Sequence, residues 1–319
     1  MVWDWASTTL GLVILLLAGD VLVRGAVNLS LRLGVPALIV SLTIVAFGTS
    51  APELLIAIQA VMEKAPGIAM GNVVGSNTAN ILLVLGVPAL ISGLDTGGCD
   101  TRRSYIFMIF ATVLFIVVSF FGPIDWRLGL ILLAVLAAIL FDQAREAHAH
   151  HSNALRATEE VEEVEGVDPD MPWWKIGVYV LLGIIGLPLG ADLLVDGASD
   201  IAATFGVPDT IIGLTLVAVG TSLPELATTV MAALRRQADV ALGNVIGSNM
   251  FNLLAIIGVA ALVGPIPVAE NFVRFDLWVM LLASLMLAPF VFLGWKLGKT
   301  WGIVFCAAYA GYIAIVLQS

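Results

Sequence analysis

Two glutamates stand in stretches of sequence that are otherwise apolar. The segment GTSAPE places Glu53 inside the run VPALIVSLTIVAFGTSAPELLIAIQAV, and GTSLPE places Glu225 in an equally apolar run. An ionisable side chain near the middle of a membrane span costs roughly 2.5–3.5 kcal/mol on insertion scales, so it indicates a functional role by default. The structural alternative is a protonated glutamate that hydrogen-bonds to a neighbouring helix. Recurrence of the motif favours function.

Each glutamate follows residues that favour a break in the helix. Pro52 and Pro224 lack a backbone donor and clash with the carbonyl four residues before them. Gly48 and Gly220 make unwinding easier. Unwound carbonyl oxygens that face a cavity become hard ligands for cations. A plain proline kink is the alternative, but it does not explain the Thr, Ser and Glu residues beside the proline.

A second pair of motifs, GNVVGSNTAN and GNVIGSNMFN, follows the first pair. Their GxxxG patterns predict close helix packing. Helical spacing places Ser76 and Asn80 on one face, and Ser248 and Asn252 likewise. These faces offer hydroxyl and amide oxygens toward the glutamates.

All of these candidate ligands are oxygens. Metals that prefer thiolate or imidazole are therefore disfavoured, whereas calcium accepts about six to eight oxygen ligands and sodium accepts ligands of the same kind. Two ionised glutamates carry a charge of −2, which one divalent or two monovalent cations neutralise. The two kinds of cation would compete for the same carboxylates, which is what exchange requires. A third monovalent ion would make transport move net charge.

The composition indicates an integral membrane protein. Of the 319 residues, 60% are hydrophobic and 12% are charged, and the mean hydropathy is +1.04, values that exclude a soluble globule. The long apolar runs do not fit the short alternating strands of a barrel. The opening MVWDWASTT lacks the basic region of a cleavable signal, so the first helix is expected to remain. Ten stretches predict spanning helices, at about 6–23, 38–61, 69–92, 104–121, 126–141, 174–197, 209–233, 241–263, 273–293 and 299–317.

The chain consists of two homologous halves. Gly48 and Gly220 are 172 residues apart, and this offset holds without a gap to Val87 and Val259, with 18 of the 40 pairs identical. We call residues at this offset repeat mates. Because each half has five predicted spans, an odd number, the second half must enter the membrane in the opposite sense. The predicted fold is therefore all-α, with ten transmembrane helices in two inverted five-helix repeats whose second and seventh helices are broken, an architecture of secondary transporters.

The predicted domains are residues 1–141 for the first repeat, 142–172 for a cytoplasmic linker and 173–319 for the second repeat. The linker holds nine acids and two arginines, so most of the net charge of −10 is local. A metal site at His148, His150 and His151 and a calcium sensor in the acidic run are alternatives, but exposed His tracts are usually solvated and no EF-hand spacing is present. Two cysteines do not suggest a disulfide framework, and no basic motif suggests nucleic acid.

The distribution of Lys and Arg predicts the orientation. With the N-terminus outside, eleven of the 14 basic residues lie on the cytoplasmic side and three outside, so both termini are expected outside the plasma or inner membrane. Asp20 and Asp192 fall near predicted helix ends and are expected to be solvated.

The paired motifs resemble the two signature repeats of the cation/calcium exchanger superfamily, most closely its sodium/calcium exchanger branch. The resemblance covers nearly the whole chain except the linker. It implies an antiporter that extrudes calcium as sodium enters, with calcium and sodium ions and the bilayer as partners. It implies no enzyme activity and no cofactor, and a monomer is expected. It further implies that the first helix of each half slides across a static core.

The resemblance also implies a set of cation ligands: Glu53, Glu225, Thr49, Thr221, Ser50, Ser222, Ser76, Ser248, Asn80, Asn252, Ala46 and Ala218. The glutamates match the central acids, the alanines match backbone carbonyl donors, and the asparagines match the polar pair at the middle. Many relatives have an Asp in that pair, and an acid in the second repeat is associated with potassium coupling. Two asparagines here predict potassium-independent exchange.

Two other functions compete with this hypothesis. Proton/calcium antiport would use the same glutamates to release protons, but the GN-x-x-E type motif of the proton-coupled branch is absent from both halves. An intramembrane enzyme would use Glu53 and Glu225 as acid and base, which explains neither the repeats nor the helix breaks. The transport hypothesis requires that the two glutamates meet inside the membrane.

Overall fold

The computed structural model is all-helical and describes residues 2–96, 99–154, 168, 171–206 and 218–318. Eight helices in this part of the chain are long and apolar enough to cross a membrane, and a bent pair makes a ninth. The helices are α1 (Val2–Leu33), α2 (Ala37–Thr49), α3 (Ala51–Met62), α4 (Pro66–Ile91), α5 (Arg102–Ser119), α6 (Trp126–Ala154), α7 (Trp173–Thr204), α8 (Leu223–Leu234), α9 (Ala238–Val263), α10 (Phe272–Phe292) and α11 (Lys299–Val316).

Nine of the ten predicted spans have a counterpart, with α2 and α3 together forming the second one. The remaining span, predicted at 209–233, falls partly on residues 207–217, which lie outside the described residues. Its described part is a short helix, Ala218–Gly220, followed by α8. The ten-helix count and the inverted relation of the halves therefore stay predictions.

Three helices extend beyond their predicted ends. α1 continues to Leu33, where Gly34 adopts a positive φ of 64° and Val35 donates to the Ser30 carbonyl at 3.0 Å, as in a glycine C-cap. The predicted span ends at 23 because polar residues follow, but Gly25 is accommodated within the helix and the first glycine with a positive φ is Gly34. The prediction that Asp20 lies near a helix end is therefore wrong.

The other two extensions are at α7, which reaches Thr204, and α6, which reaches Ala154. Asp192 therefore lies within α7, and the prediction that it lies near a helix end is also wrong. The first part of the predicted linker is thus helical. Most of the rest of the linker lies outside the described residues.

α1 and α7 form a long antiparallel pair. A Cβ atom at Gly183 would lie 2.4 Å from the Leu22 Cβ, and one at Gly197 would lie 2.5 Å from the Thr8 Oγ1. Such close approach requires glycine along much of the pair. The pair contributes most of a small apolar cluster, including Leu15, Leu22 and Leu187, that is separate from the main core.

The main core is built around α4 and α9, the two helices that carry the second motifs. Two short backbone bridges close its ends. Leu94, after α4, pairs with Leu297, before α11, and Ile266, after α9, pairs with Ile124, before α6. The same type of contact thus recurs in the corresponding loops of the two halves.

Candidate cation-binding site

Both first motifs form a helix break with the same local geometry. α2 and α3 are bent by 44°, and Ser50 at the break has φ −88° and ψ 6°. Its repeat mate Ser222 has φ −89° and ψ 3°. After each break, the proline stands in the first turn of the next helix, where its missing N–H costs nothing. The glutamate occupies the same turn, where the partial positive charge of a helix start favours an anion.

Each broken segment meets the second-motif helix of the other half. The end of α2 packs against α9, and the short helix Ala218–Gly220 packs against α4. α3, which carries Glu53, contacts a π-helical segment of α9, Phe251–Ile256. α8, which carries Glu225, contacts the matching π-helical segment of α4, Asn80–Val84. Four elements from two halves therefore converge, and π-helical turns are frequent at functional sites.

The structure buries both glutamates and brings them within electrostatic range of each other. Glu53 is 1% exposed and Glu225 is 0% exposed, and their charges repel. Ser50 donates to Glu225 Oε1 at 3.1 Å, and Ser248 donates to the same oxygen at 3.4 Å. The Thr49 and Ser248 hydroxyl oxygens are 3.4 Å apart. Residues of the first motif in one half thus surround the acid of the other.

Many buried oxygens at this centre have no hydrogen-bond partner in the described part of the chain. They are Glu53 Oε1 and Oε2, Glu225 Oε2, Ser76 Oγ, Ser222 Oγ, Asn80 Oδ1 and Asn252 Oδ1. A buried carboxylate with neither a donor nor a counter-ion is strongly unfavourable. Among the described residues neither glutamate forms an ion pair with Lys or Arg. The set fits a hard cation as transported substrate, because such an ion supplies the missing positive charge and bonds to oxygen.

The remaining predicted ligands differ in their surroundings. The Ala46 carbonyl accepts hydrogen bonds from the Thr49 hydroxyl at 3.2 Å and from the Ser50 N–H at 3.0 Å. Thr221 is half-buried and lines a cleft. Ala218 begins the short helix before the second break, and its side chain lies outside the described residues.

Two asparagines outside the predicted ligand set lie between the halves. Asn77 and Asn249 are repeat mates. Each donates its side-chain amide to the backbone carbonyl of the other, at 3.2 and 3.3 Å. Asn80 donates to Asn249 Oδ1 at 3.0 Å, whereas Asn77 Oδ1 and both side-chain polar atoms of Asn252 have no partner among the described residues. Recurrence of GSN in both halves was the available signal.

A further asparagine, Asn244, supports the second helix break. Its side-chain amide donates to the Glu225 carbonyl at 3.3 Å and to the Thr229 hydroxyl at 3.1 Å. Asn244, in the GN pair that opens the second motif, therefore stabilises the backbone at Glu225.

A cleft of about 250 Å³ that is lined by described residues opens beside this centre. Its lining includes Pro52, Ile56, Asp192, Ser199 and Thr221. The repeat mates of three lining residues are fully packed on the opposite side: Thr49 for Thr221, Thr228 for Ile56 and Val27 for Ser199. Among the described residues, the structure is therefore more open on the side of Asp192, which we call the open side, than on the side of Asp20, which we call the closed side.

These features define a helical, multi-pass membrane transporter. The family described as sodium/calcium exchanger protein matches residues 3–143 and 175–318. The chain therefore belongs to the sodium/calcium exchanger family, whose characterised function is cation exchange and not enzymatic catalysis.

Relatives cover nearly the full chain. The sodium/calcium exchanger MaX1 of Methanosarcina acetivorans is 35% identical, with 96% of each chain covered, and the inner membrane protein YrbG of Escherichia coli is 31% identical, with 98% of this chain and 96% of YrbG covered. The solved structure of the sodium-calcium exchanger NCX_Mj soaked with 10 mM Na⁺ and zero Ca²⁺ superposes with a TM-score of 0.82 at 32% identity, covering 98% of both chains.

Proposed function

We propose that the protein extrudes calcium from the cell in exchange for sodium that enters down its gradient. The observation that carries the proposal is the pair of buried, mutually repelling carboxylates, Glu53 and Glu225, among oxygens that have no other partner. One calcium or two sodium ions neutralise this charge, so the two ions compete for one centre. The sequence similarity to MaX1, a sodium/calcium exchanger, supports the same assignment.

The exchange is electrogenic in this proposal. The centre offers more oxygens than one ion requires, since Thr49, Ser50 and Ser248 surround Glu225 while Glu53 keeps both oxygens for other ligands. Three sodium ions at such a centre carry one positive charge more than one calcium ion. Each cycle then moves one net charge across the membrane.

The exchange is also potassium-independent in this proposal. Both members of the central polar pair, Asn80 and Asn252, are neutral amides. The described residues contain no group of three or more His, Cys, Asp or Glu side chains that could hold a metal ion together. The centre therefore lacks the acid in the central polar pair that the family resemblance associates with potassium coupling.

In this proposal the protein lies in the plasma or inner membrane with both termini outside. The excess of Lys and Arg on the opposite side supports this orientation. The cleft beside Asp192 then opens to the outside, where sodium enters the carrier.

Isotopic calcium uptake by reconstituted vesicles tests the proposal. An outward sodium gradient is expected to drive calcium uptake at clamped pH, and removal of potassium is expected to leave the rate unchanged. Glu53→Gln and Glu225→Gln are expected to abolish uptake and direct calcium binding. Uptake that ignores sodium but follows a proton gradient would replace this proposal with proton/calcium antiport.

A further inference from the structure

Two of three charged positions differ in sign between the closed and open sides of the carrier. On the closed side they are Asp20, Arg24 and Arg235. Their repeat mates on the open side are Asp192, Asp196 and Glu63, so one acid and two bases are replaced by three acids. Homologous halves that agree at the motifs therefore disagree in charge where α1 and α7 approach the rest of the protein.

On the closed side the three charges form a partly buried ion-pair network. Arg235, which directly follows α8, contacts Asp20 Oδ1 through two guanidinium nitrogens. The side chains of Asp20 and Arg235 are 18% and 16% exposed. Arg24 Nε lies 3.1 Å from Asp20 Oδ2. This network connects α1 to the helix that carries Glu225.

The Asp20–Arg235 contact lies where the α1 and α7 pair meets the rest of the protein. α1 and α7 pack through glycines along their shared length and contribute most of an apolar cluster separate from the main core. Asp20 and Asp192 lie about 10 Å apart along the axes of this antiparallel pair, on opposite sides of its middle, at the 1.5 Å rise of a helix. Asp20 thus meets the residue that follows α8, whereas Asp192 lines the cleft beside α3.

We propose that the Asp20–Arg235 ion pair is a one-sided latch that keeps the empty carrier closed on the side of Arg235. This inference rests on the proposed function, because an exchanger must expose its site to each side in turn. Closing the opposite side would bring Asp192 and Asp196 toward Glu63. All three residues are acids, and none of these three positions holds a base. The empty carrier therefore rests open on the Asp192 side, and a ligand must supply the free energy to close it.

Cysteine labelling of the detergent-solubilised full chain without sodium or calcium tests the latch. Two reporters at repeat mates, Ser199→Cys in the cleft and Val27→Cys on the closed side, are placed separately in a Cys99→Ala/Cys306→Ala background. With the native latch, a water-soluble maleimide is expected to modify position 199 rapidly and position 27 slowly. Asp20→Asn is expected to increase the rate at position 27 about fivefold and to decrease the rate at position 199, as for a population shift of about 1 kcal/mol.

The repeat supplies matched controls. Asp192→Asn, at the repeat mate of Asp20, breaks no ion pair to an arginine of the described residues and is expected not to open the closed side. Glu63→Arg is expected to create the mirror latch, slowing labelling at position 199, and Asp192→Asn in that background is expected to cancel the effect. Because Glu63 is exposed, Glu63→Arg remains informative if Asp20→Asn fails to fold.

The proposal is overturned if Asp20→Asn leaves both labelling rates unchanged, or if folded Glu63→Arg has no effect at position 199. Labelling requires no transport, so the result stands apart from the vesicle assay. A latch that responds as expected in a protein without sodium-driven calcium uptake would reject the proposed function and keep the latch.

Discussion

Glu53 and Glu225 occupy equivalent positions in the two motifs, yet their carboxylates have different surroundings. Glu225 Oε1 accepts hydrogen bonds from Ser50 and Ser248, whereas neither oxygen of Glu53 has a partner among the described residues. Hydrogen bonds to a carboxylate offset part of its desolvation. Glu53 is therefore the acid whose charge depends most on a bound cation.

This difference predicts the stability of the empty protein. Glu53→Gln is expected to raise the thermal unfolding temperature in detergent with a chelator at pH 8, because it removes a buried, repelling charge. Glu225→Gln is expected to raise the unfolding temperature less, because the hydrogen bonds from Ser50 and Ser248 would then go to a neutral amide and not to a carboxylate. Calcium is expected to stabilise wild type and neither variant, since binding to the native state alone stabilises it. A lower unfolding temperature for Glu53→Gln than for wild type, both measured with the chelator, would contradict this account.

The asparagine pair allows a second comparison between repeat mates. Asn80→Asp is expected to destabilise the protein by about 1–3 kcal/mol, because the Asn80 amide donates to Asn249 Oδ1 and a carboxylate would face that oxygen without a proton. Asn252→Asp loses no such bond among the described residues and is expected to unfold nearer to wild type. Chemical denaturation of both variants in the presence of calcium checks the order.

The sequence predicted the residues of this centre better than their individual partners. Two acids in apolar runs are visible by composition alone, and so are the hydroxyls beside them. The Asn77–Asn249 contact and the bond from Ser50 to Glu225 join residues about 170 positions apart. They depend on how the halves dock, which local pattern does not encode.

At the level of elements, the helix breaks followed from Gly and Pro, but the lengths of α1 and α7 did not. An apolar stretch ends where polar residues begin, and a helix ends only where a breaker such as Gly34 occurs. The extra turns of α1 place Asp20 within the helix, where it meets Arg235. Close packing of α1 on α7 was likewise not predicted, although Gly186 and Gly190 of α7 form a GxxxG pattern that faces α1.

The seam between these helices predicts different effects for two glycines of α7. Gly183→Ala is expected to destabilise the protein by about 1–3 kcal/mol, because its Cβ would lie 2.4 Å from the Leu22 Cβ. Gly177→Ala is the control, since no described residue lies within 4 Å of its Cβ position and alanine favours the helix. Thermal unfolding in detergent compares the two variants. Equal loss of stability in Gly183→Ala and Gly177→Ala would show that α1 and α7 are not tightly packed at Gly183.

At the scale of the whole molecule, the 172-residue offset predicted two related halves, whereas the conformation of the structure was not predictable. Two related halves can exchange conformations, so one sequence is compatible with opening on either side. The difference in burial between Thr49 and Thr221 shows which side is open here. That choice depends on residues where the halves differ, such as Arg235 and Glu63.

Net charge movement is the property of the whole cycle that separates one stoichiometry from another. In sodium-loaded vesicles diluted into calcium, three sodium ions leave for each calcium ion that enters, so one positive charge leaves per cycle. An inside-positive potential set by valinomycin and external potassium is therefore expected to increase calcium accumulation. One charge across 100 mV corresponds to about 2.3 kcal/mol, or about 50-fold in the equilibrium calcium ratio. The same potassium gradient without valinomycin is the control for a direct effect of potassium. Accumulation that does not respond to voltage would indicate that two sodium ions, which match the charge of Glu53 and Glu225, complete the exchange.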